Sequence, residues 1–125
     1  MKKILRFLPA IIWMGIIFYF SSRQTTGIGG TSYLHRFLIL KTFHLIEYAI
    51  LFILISFALN SDFYSLIVSY LYSATDEIHQ SFTPGRTPKF TDTLIDLLGI
   101  LIGFLIYRFF LLPLFQKYFH KRNSN

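Results

Sequence analysis

The sequence has no cysteine, so disulfide scaffolds and Cys-ligated zinc or iron–sulfur sites are excluded. Charge is scarce: only 14% of the 125 residues are Asp, Glu, Lys or Arg, and just 6 are acidic. Disorder needs low hydrophobicity, and this chain is 54% hydrophobic and 19% aromatic. Two independent soluble domains would be cramped in this length. The 15 Phe and 8 Tyr are hard to bury in so small a soluble core. The composition fits a membrane protein.

The apolar residues gather in four runs. These are Ile4–Phe20, Phe43–Leu59, Phe63–Tyr72 continuing through Ser73-Ala74-Thr75 into Asp76 and Glu77, and Leu94–Leu112. Each is about 17–20 residues long, near the lower limit for crossing a hydrocarbon core of roughly 30 Å. Lipid offers no partner for free backbone N–H and C=O groups, so open-ended spans must be helices. The expected fold is all-α, a four-transmembrane-helix bundle with helices near 4–20, 43–59, 63–80 and 92–112. The first run reads as a retained anchor rather than a cleaved signal peptide. It exceeds the usual signal core of about 7–15 residues, and no Ala-x-Ala-like site follows.

Two loops join these spans on one side. Ser21–Thr42 opens Gly-rich (Gly27, Gly29, Gly30) and turns amphipathic at Tyr33–Lys41, where a short interfacial helix is expected. Ser81–Thr91 holds Pro84-Gly85-Arg86 and Pro88. Residues 1–112 make the membrane domain, and 113–125 a basic tail expected to fray. Lys2, Lys3, Arg6, Arg108, Lys117, Lys121 and Arg122 fall on the side of the termini, against Arg23, Arg36, Lys41, Arg86 and Lys89 on the other. That bias places both termini in the cytoplasm of a multi-pass protein of the cell membrane. The net charge of +6 then belongs to membrane-flanking residues rather than one patch, which argues against nucleic acid as a partner.

Ionisable groups inside a membrane are costly, so their positions are informative. Five of the 6 acids (Glu47, Asp76, Glu77, Asp92 and Asp96) thread to the same membrane face, and only Asp62 lies at the other. His44, Glu47 and Tyr48 stand at i, i+3, i+4 and so share a helix face. Asp76, His79 and Gln80 repeat that spacing, and Asp92 and Asp96 stand at i, i+4. Ser65, Ser69 and Ser73 form a small-residue stripe leading to Asp76 and Glu77. Gly99 and Gly103 form a GxxxG whose stripe extends back to Asp96 and Asp92. Small residues let helices approach closely in lipid, which would press the acids together. Crowded carboxylates then require protons or cations. Arg86, in a Pro-Gly turn six residues before Asp92, is the best-placed cation, and its fork suits a carboxylate or a phosphate.

Four uses of such a cluster are open. It can be a structural polar knot that fixes helix register. It can be a divalent metal site, for zinc or manganese, drawing on His44, Glu47 and Asp96 with Asp76 and His79 nearby. It can bind or modify a membrane lipid or lipid-linked envelope precursor. Lys41, Tyr48, Gln80, Arg86 and Asp92 would then hold the ligand, and a His79–Asp76 pair, with Glu77, would supply acid/base chemistry. A proton-coupled transporter ranks lowest, because the acids stay at one face.

The residues of this cluster also carry a resemblance. Lys41-x-x-His44-x-x-Glu47-Tyr48, then Asp76-Glu77-x-His79-Gln80-x-Phe82-x-Pro84-Gly85-Arg86, then Asp92-x-x-x-Asp96-x-x-Gly99, together with Phe20-Ser21-Ser22-Arg23-Gln24, resemble the VanZ-like family over about Ile4 to Phe110. The resemblance implies a small multi-helix membrane protein of a family linked to low-level resistance to the lipoglycopeptide teicoplanin. It carries over His44, Glu47, Tyr48, Asp76, Glu77, His79, Gln80, Arg86 and Asp92 as the family's core residues. Many relatives have Asn where this chain has Asp96, so the resemblance does not carry Asp96 over as an obligatory ligand.

Overall fold

A computed structural model describes residues 2–23, 32–87 and 89–123. The glycines of the first loop and Pro88 lie outside the described residues. The described chain is helical, with α1 (Lys2–Leu5), α2 (Leu8–Ser21), α3 (Tyr33–Leu59), α4 (Asp62–Gln80), α5 (Phe90–Ile106), a π-helical turn (Tyr107–Leu111) and α6 (Leu112–Asn123).

Three boundaries differ from the sequence expectation. The interfacial helix expected at Tyr33–Lys41 is not a separate element but the first turns of α3. That stretch contains no Gly or Pro, and extending an existing helix adds a hydrogen bond for each residue fixed, whereas starting a new one costs nucleation. The first span breaks at Arg6-Phe7, and α2 starts with Pro9 in its first turn, where a missing N–H is harmless. The tail expected to fray after Pro113 is helical to Asn123. A proline inside a helix clashes with the carbonyl four residues earlier. Here the π turn absorbs that conflict, with the Leu112 N–H bonded to the Tyr107 carbonyl.

Helix ends are set locally. Asn60 adopts a left-handed conformation (φ 52°) and closes α3 through its N–H to the Ser56 carbonyl at 2.9 Å. Asp62 then lies in the first turn of α4, where the helix dipole favours a carboxylate. This two-residue connection makes α3 and α4 antiparallel neighbours. At the other end, Thr83-Pro84-Gly85-Arg86 forms a turn closed by the Arg86 N–H on the Thr83 carbonyl, with Gly85 at φ 80°.

α5 packs along α3, α4 lies against both, and α2 leans on α3 and α4. The GxxxG stripe makes the closest seam. A Cβ on Gly99 would collide with the Leu45 carbonyl oxygen, and one on Gly103 with that of Ala49. Tyr48, Leu51, Phe52 and Ile100 are fully buried between the helices. Trp13 Nε1 donates to the Glu47 carbonyl at 2.9 Å, and Tyr72 Oη to the Met14 carbonyl at 2.5 Å, tying α2 to α3 and α4.

The distribution of polarity is inverted relative to a soluble domain. Ser65, Ser69, Ser73 and Asp96 have 0% exposure, while Phe63, Leu71, Phe109 and Phe110 lie largely outside. Two helices, Tyr33–Leu59 and the continuous Phe90–Tyr118, are long and apolar enough to cross a membrane, and Leu8–Ser21 is apolar but shorter. Only 33% and 22% of the most apolar stretches of the two long helices is buried, so their apolar surface faces outward rather than into a protein core.

Candidate functional site

The close α3–α5 seam sets the site. It brings His44 on α3 against Asp96 on α5, with His44 Nδ1 2.9 Å from Asp96 Oδ1. Asp96 Oδ2 accepts a hydrogen bond from Ser73 Oγ on α4 at 2.6 Å. The serine stripe thus does more than let α4 approach, because its last member orients the carboxylate. Ser73 was readable as a packing residue; its position three residues before Asp76 was the signal for a polar role. Glu77, also on α4, is buried, and neither carboxylate oxygen has a hydrogen-bond partner. Ligand atoms of His44, Glu77 and Asp96 lie within 4.8 Å of one another.

Asp76 forms a second group beside this one. Its Oδ2 accepts from Tyr48 Oη at 3.1 Å and from Gln80 Nε2 at 3.0 Å, while Oδ1 is buried without a partner. Gln80 Oε1 in turn accepts from Arg86 Nη1 at 2.8 Å, and Arg86 Nη2 donates to the Phe20 carbonyl at 3.4 Å. The Thr83–Arg86 turn is what returns the guanidinium over the helix ends. Burial pulls the Arg86 pKa below its usual range, and the surrounding Asp76, Glu47, Glu77 and Asp92 push it back up. Lys41 and Asp92 form an ion pair across the mouth of the α3–α5 seam.

Two cavities adjoin these groups. The first, about 350 Å³, is lined by Tyr33, Arg36, Lys41, Arg86, Lys89 and Asp92 among others. The second, about 200 Å³, is lined by Ile17, Phe20, Leu40, Phe43, Glu47 and Asp76 among others. Both are walled by Leu40, His44, Gln80 and Arg86.

Three groups are arranged differently from the expected sets. Among the described residues, the His and acid ligand atoms that lie within 4.8 Å of one another are those of His44, Glu77 and Asp96; Glu47, expected beside His44, is not in that group. Glu47 is among the residues lining the second cavity. Helical spacing groups residues on one helix, but the packing of α4 and α5 against α3 decides which of their acids come near His44. The expected His79–Asp76 pair is not made. His79 turns to α2, its ring stacked on Phe18 at 4.0 Å and its Nε2 2.9 Å from Ser22 Oγ. Arg86 grips no carboxylate directly; Gln80 relays it to Asp76, and Lys41 takes Asp92.

The described chain is an all-helical protein with apolar helix surface outside and His44, Asp76, Glu77, Gln80 and Asp96 buried between the helices. A family model described as VanZ/LLP1 matches residues 6–112, and the chain belongs to that family. The two long apolar helices and the family together point to a membrane protein. Neither the curated proteins nor the solved structures contain a match to the chain.

Proposed function

We propose that the chain is a multi-pass protein of the cell membrane in which α2, α3, α4 and α5 all span. Both termini are cytoplasmic and the two cavities open at the outer face. α4 fails a simple hydropathy test because of its serines and its polar end, yet those residues are buried against α3 and α5 and would not meet lipid.

In this reading the site holds an anionic amphiphile of the cell envelope, a membrane lipid or a lipid-linked precursor. The observation that carries it is the pair of adjoining cavities. The first presents Lys41, Arg86 and Lys89, which suit a phosphate, and its volume of about 350 Å³ lies in the range of small-molecule sites. The second offers the apolar side chains of Ile17, Phe20, Leu40 and Phe43 to the start of a hydrocarbon chain, beside the polar wall of Glu47, Asp76, Gln80 and Arg86. Arg86 bridges the two. With His79 turned away from Asp76, binding is favoured over acid/base turnover. Holding such a molecule would alter the access of lipoglycopeptides such as teicoplanin to the membrane surface, which is the form a resistance role would take.

Native mass spectrometry of detergent-purified protein tests this. Phosphatidylglycerol should be retained in preference to phosphatidylcholine, and Arg86→Gln should weaken retention by about tenfold, the loss of one charge-assisted contact. Equal retention of both lipids by the wild type would end the headgroup reading.

A further inference from the structure

The His44–Glu77–Asp96 cluster calls for a partner that the protein does not supply. Glu77 is 8% exposed, and both of its carboxylate oxygens are buried without a donor. A buried carboxylate with no hydrogen bond and no cation is among the most expensive arrangements in a protein interior. Lys41 pairs with Asp92, and Arg86 holds Gln80 and the Phe20 carbonyl through its two Nη atoms while its buried Nε has no acceptor; among the described residues no hydrogen bond or ion pair joins either cation to Glu77. Asp96 has no exposed surface and faces His44 across the α3–α5 seam.

We infer that His44, Glu77 and Asp96 form a binding site for one divalent first-row metal ion of the zinc or manganese class. One imidazole nitrogen and two carboxylates are the donors that class prefers. Ligand atoms that all lie within 4.8 Å can surround an ion, because bonds of roughly 2.0–2.2 Å place opposite donors about 4 Å apart. His44 Nδ1 and Asp96 Oδ1 are hydrogen-bonded at 2.9 Å, so an ion would replace the shared proton and spread the two donors to roughly 3.3 Å, the edge of a tetrahedron of such bonds. Ser73 holds the other oxygen of Asp96, the outer-shell contact that orients a ligating carboxylate. Each helix contributes a single ligand, so an ion here would clasp α3, α4 and α5 together. The site stands on this cluster alone and does not need the headgroup reading. His44 also walls both cavities, so a bound ion would lie at their common floor.

The test uses the full chain in mild detergent, stripped with chelator, incubated with zinc chloride or manganese chloride, desalted and measured by elemental analysis. One ion per chain is expected for the wild type. Glu77→Gln should weaken binding by more than about tenfold, while Glu47→Gln should keep it. Circular dichroism and size exclusion verify that each variant is folded, and His44→Gln substitutes if Glu77→Gln is not. A wild-type chain that takes up neither ion overturns the site, as does a folded Glu77→Gln that binds like wild type. The same preparations report on the lipid. Metal retained with no phosphatidylglycerol preference ends the headgroup reading alone, and lipid preference without metal ends the metal site alone.

Discussion

Ser73 and Asp96 meet across the α4–α5 seam, the serine hydroxyl donating at 2.6 Å to a carboxylate with no exposed surface. The same carboxylate reaches His44 on α3 through its other oxygen, so Asp96 is the point where three helices are held in register. Removing either partner should therefore be felt in stability, and unequally. Ser73→Ala loses one hydrogen bond to a charged group, about 1.5–3 kcal/mol. Asp96→Ala strands both His44 and Ser73, and breaking a buried pair from one side costs about 3–5 kcal/mol. Thermal unfolding in detergent should rank the variants in that order. Equal stability of Asp96→Ala and wild type would show that the cluster does not hold the bundle.

The glycine seam makes a second, purely steric prediction. At Gly103 an added side chain meets the Ala49 backbone, which no rotamer change can relieve. Gly103→Val should cost at least the about 1–3 kcal/mol of ordinary overpacking, and also pull His44 away from Asp96. Gly15 on α2 has nothing near its missing Cβ. Gly15→Ala should be neutral or stabilising by up to about 1 kcal/mol, since alanine favours the helix. Melting curves of the two variants side by side separate packing from general intolerance of glycine replacement.

The Lys41–Asp92 pair predicts a charge-swap rescue. Both side chains are mostly buried, at 20% and 13% exposure, so the pair is not a solvated surface contact. Lys41→Asp places two carboxylates together and should destabilise by roughly 1.5–3 kcal/mol. Adding Asp92→Lys should restore most of it. A double variant no better than the single one would show that Lys41 matters for something other than this pairing.

These contacts also show what could be read in the sequence. The apolar runs gave the helices, because their composition is set by what surrounds them. The i, i+3 and i+4 spacings brought His44 with Tyr48 and Asp76 with Gln80, since residues on one helix face stay together in any packing. The rotation of one helix against another was not legible. Glu77 comes within ligand distance of both His44 and Asp96 across three helices, and His79 is left on the α2 side. Nor was the continuation past Pro113 legible, since a proline in a sequence signals a stop and only the π turn before it shows how the stop is avoided.

The proposed topology gives the last prediction, which the absence of cysteine makes clean to measure. Single cysteines are placed at Thr26, Thr87 and Ser124, and intact cells are treated with a membrane-impermeant thiol reagent. Four spans with cytoplasmic termini require labelling at 26 and 87 and none at 124 until the membrane is opened. Thr87 is the informative site, being exposed beside Arg86 at the rim of the polar cavity. If 87 is protected and 124 labelled, the Lys and Arg bias has been read backwards and the cavities face the cytoplasm. An envelope precursor could then reach the site only from inside, before its export. If 26 and 87 differ from each other, α3 and α4 do not both cross. The buried serines of α4 would then need to be covered by something other than a spanning bundle.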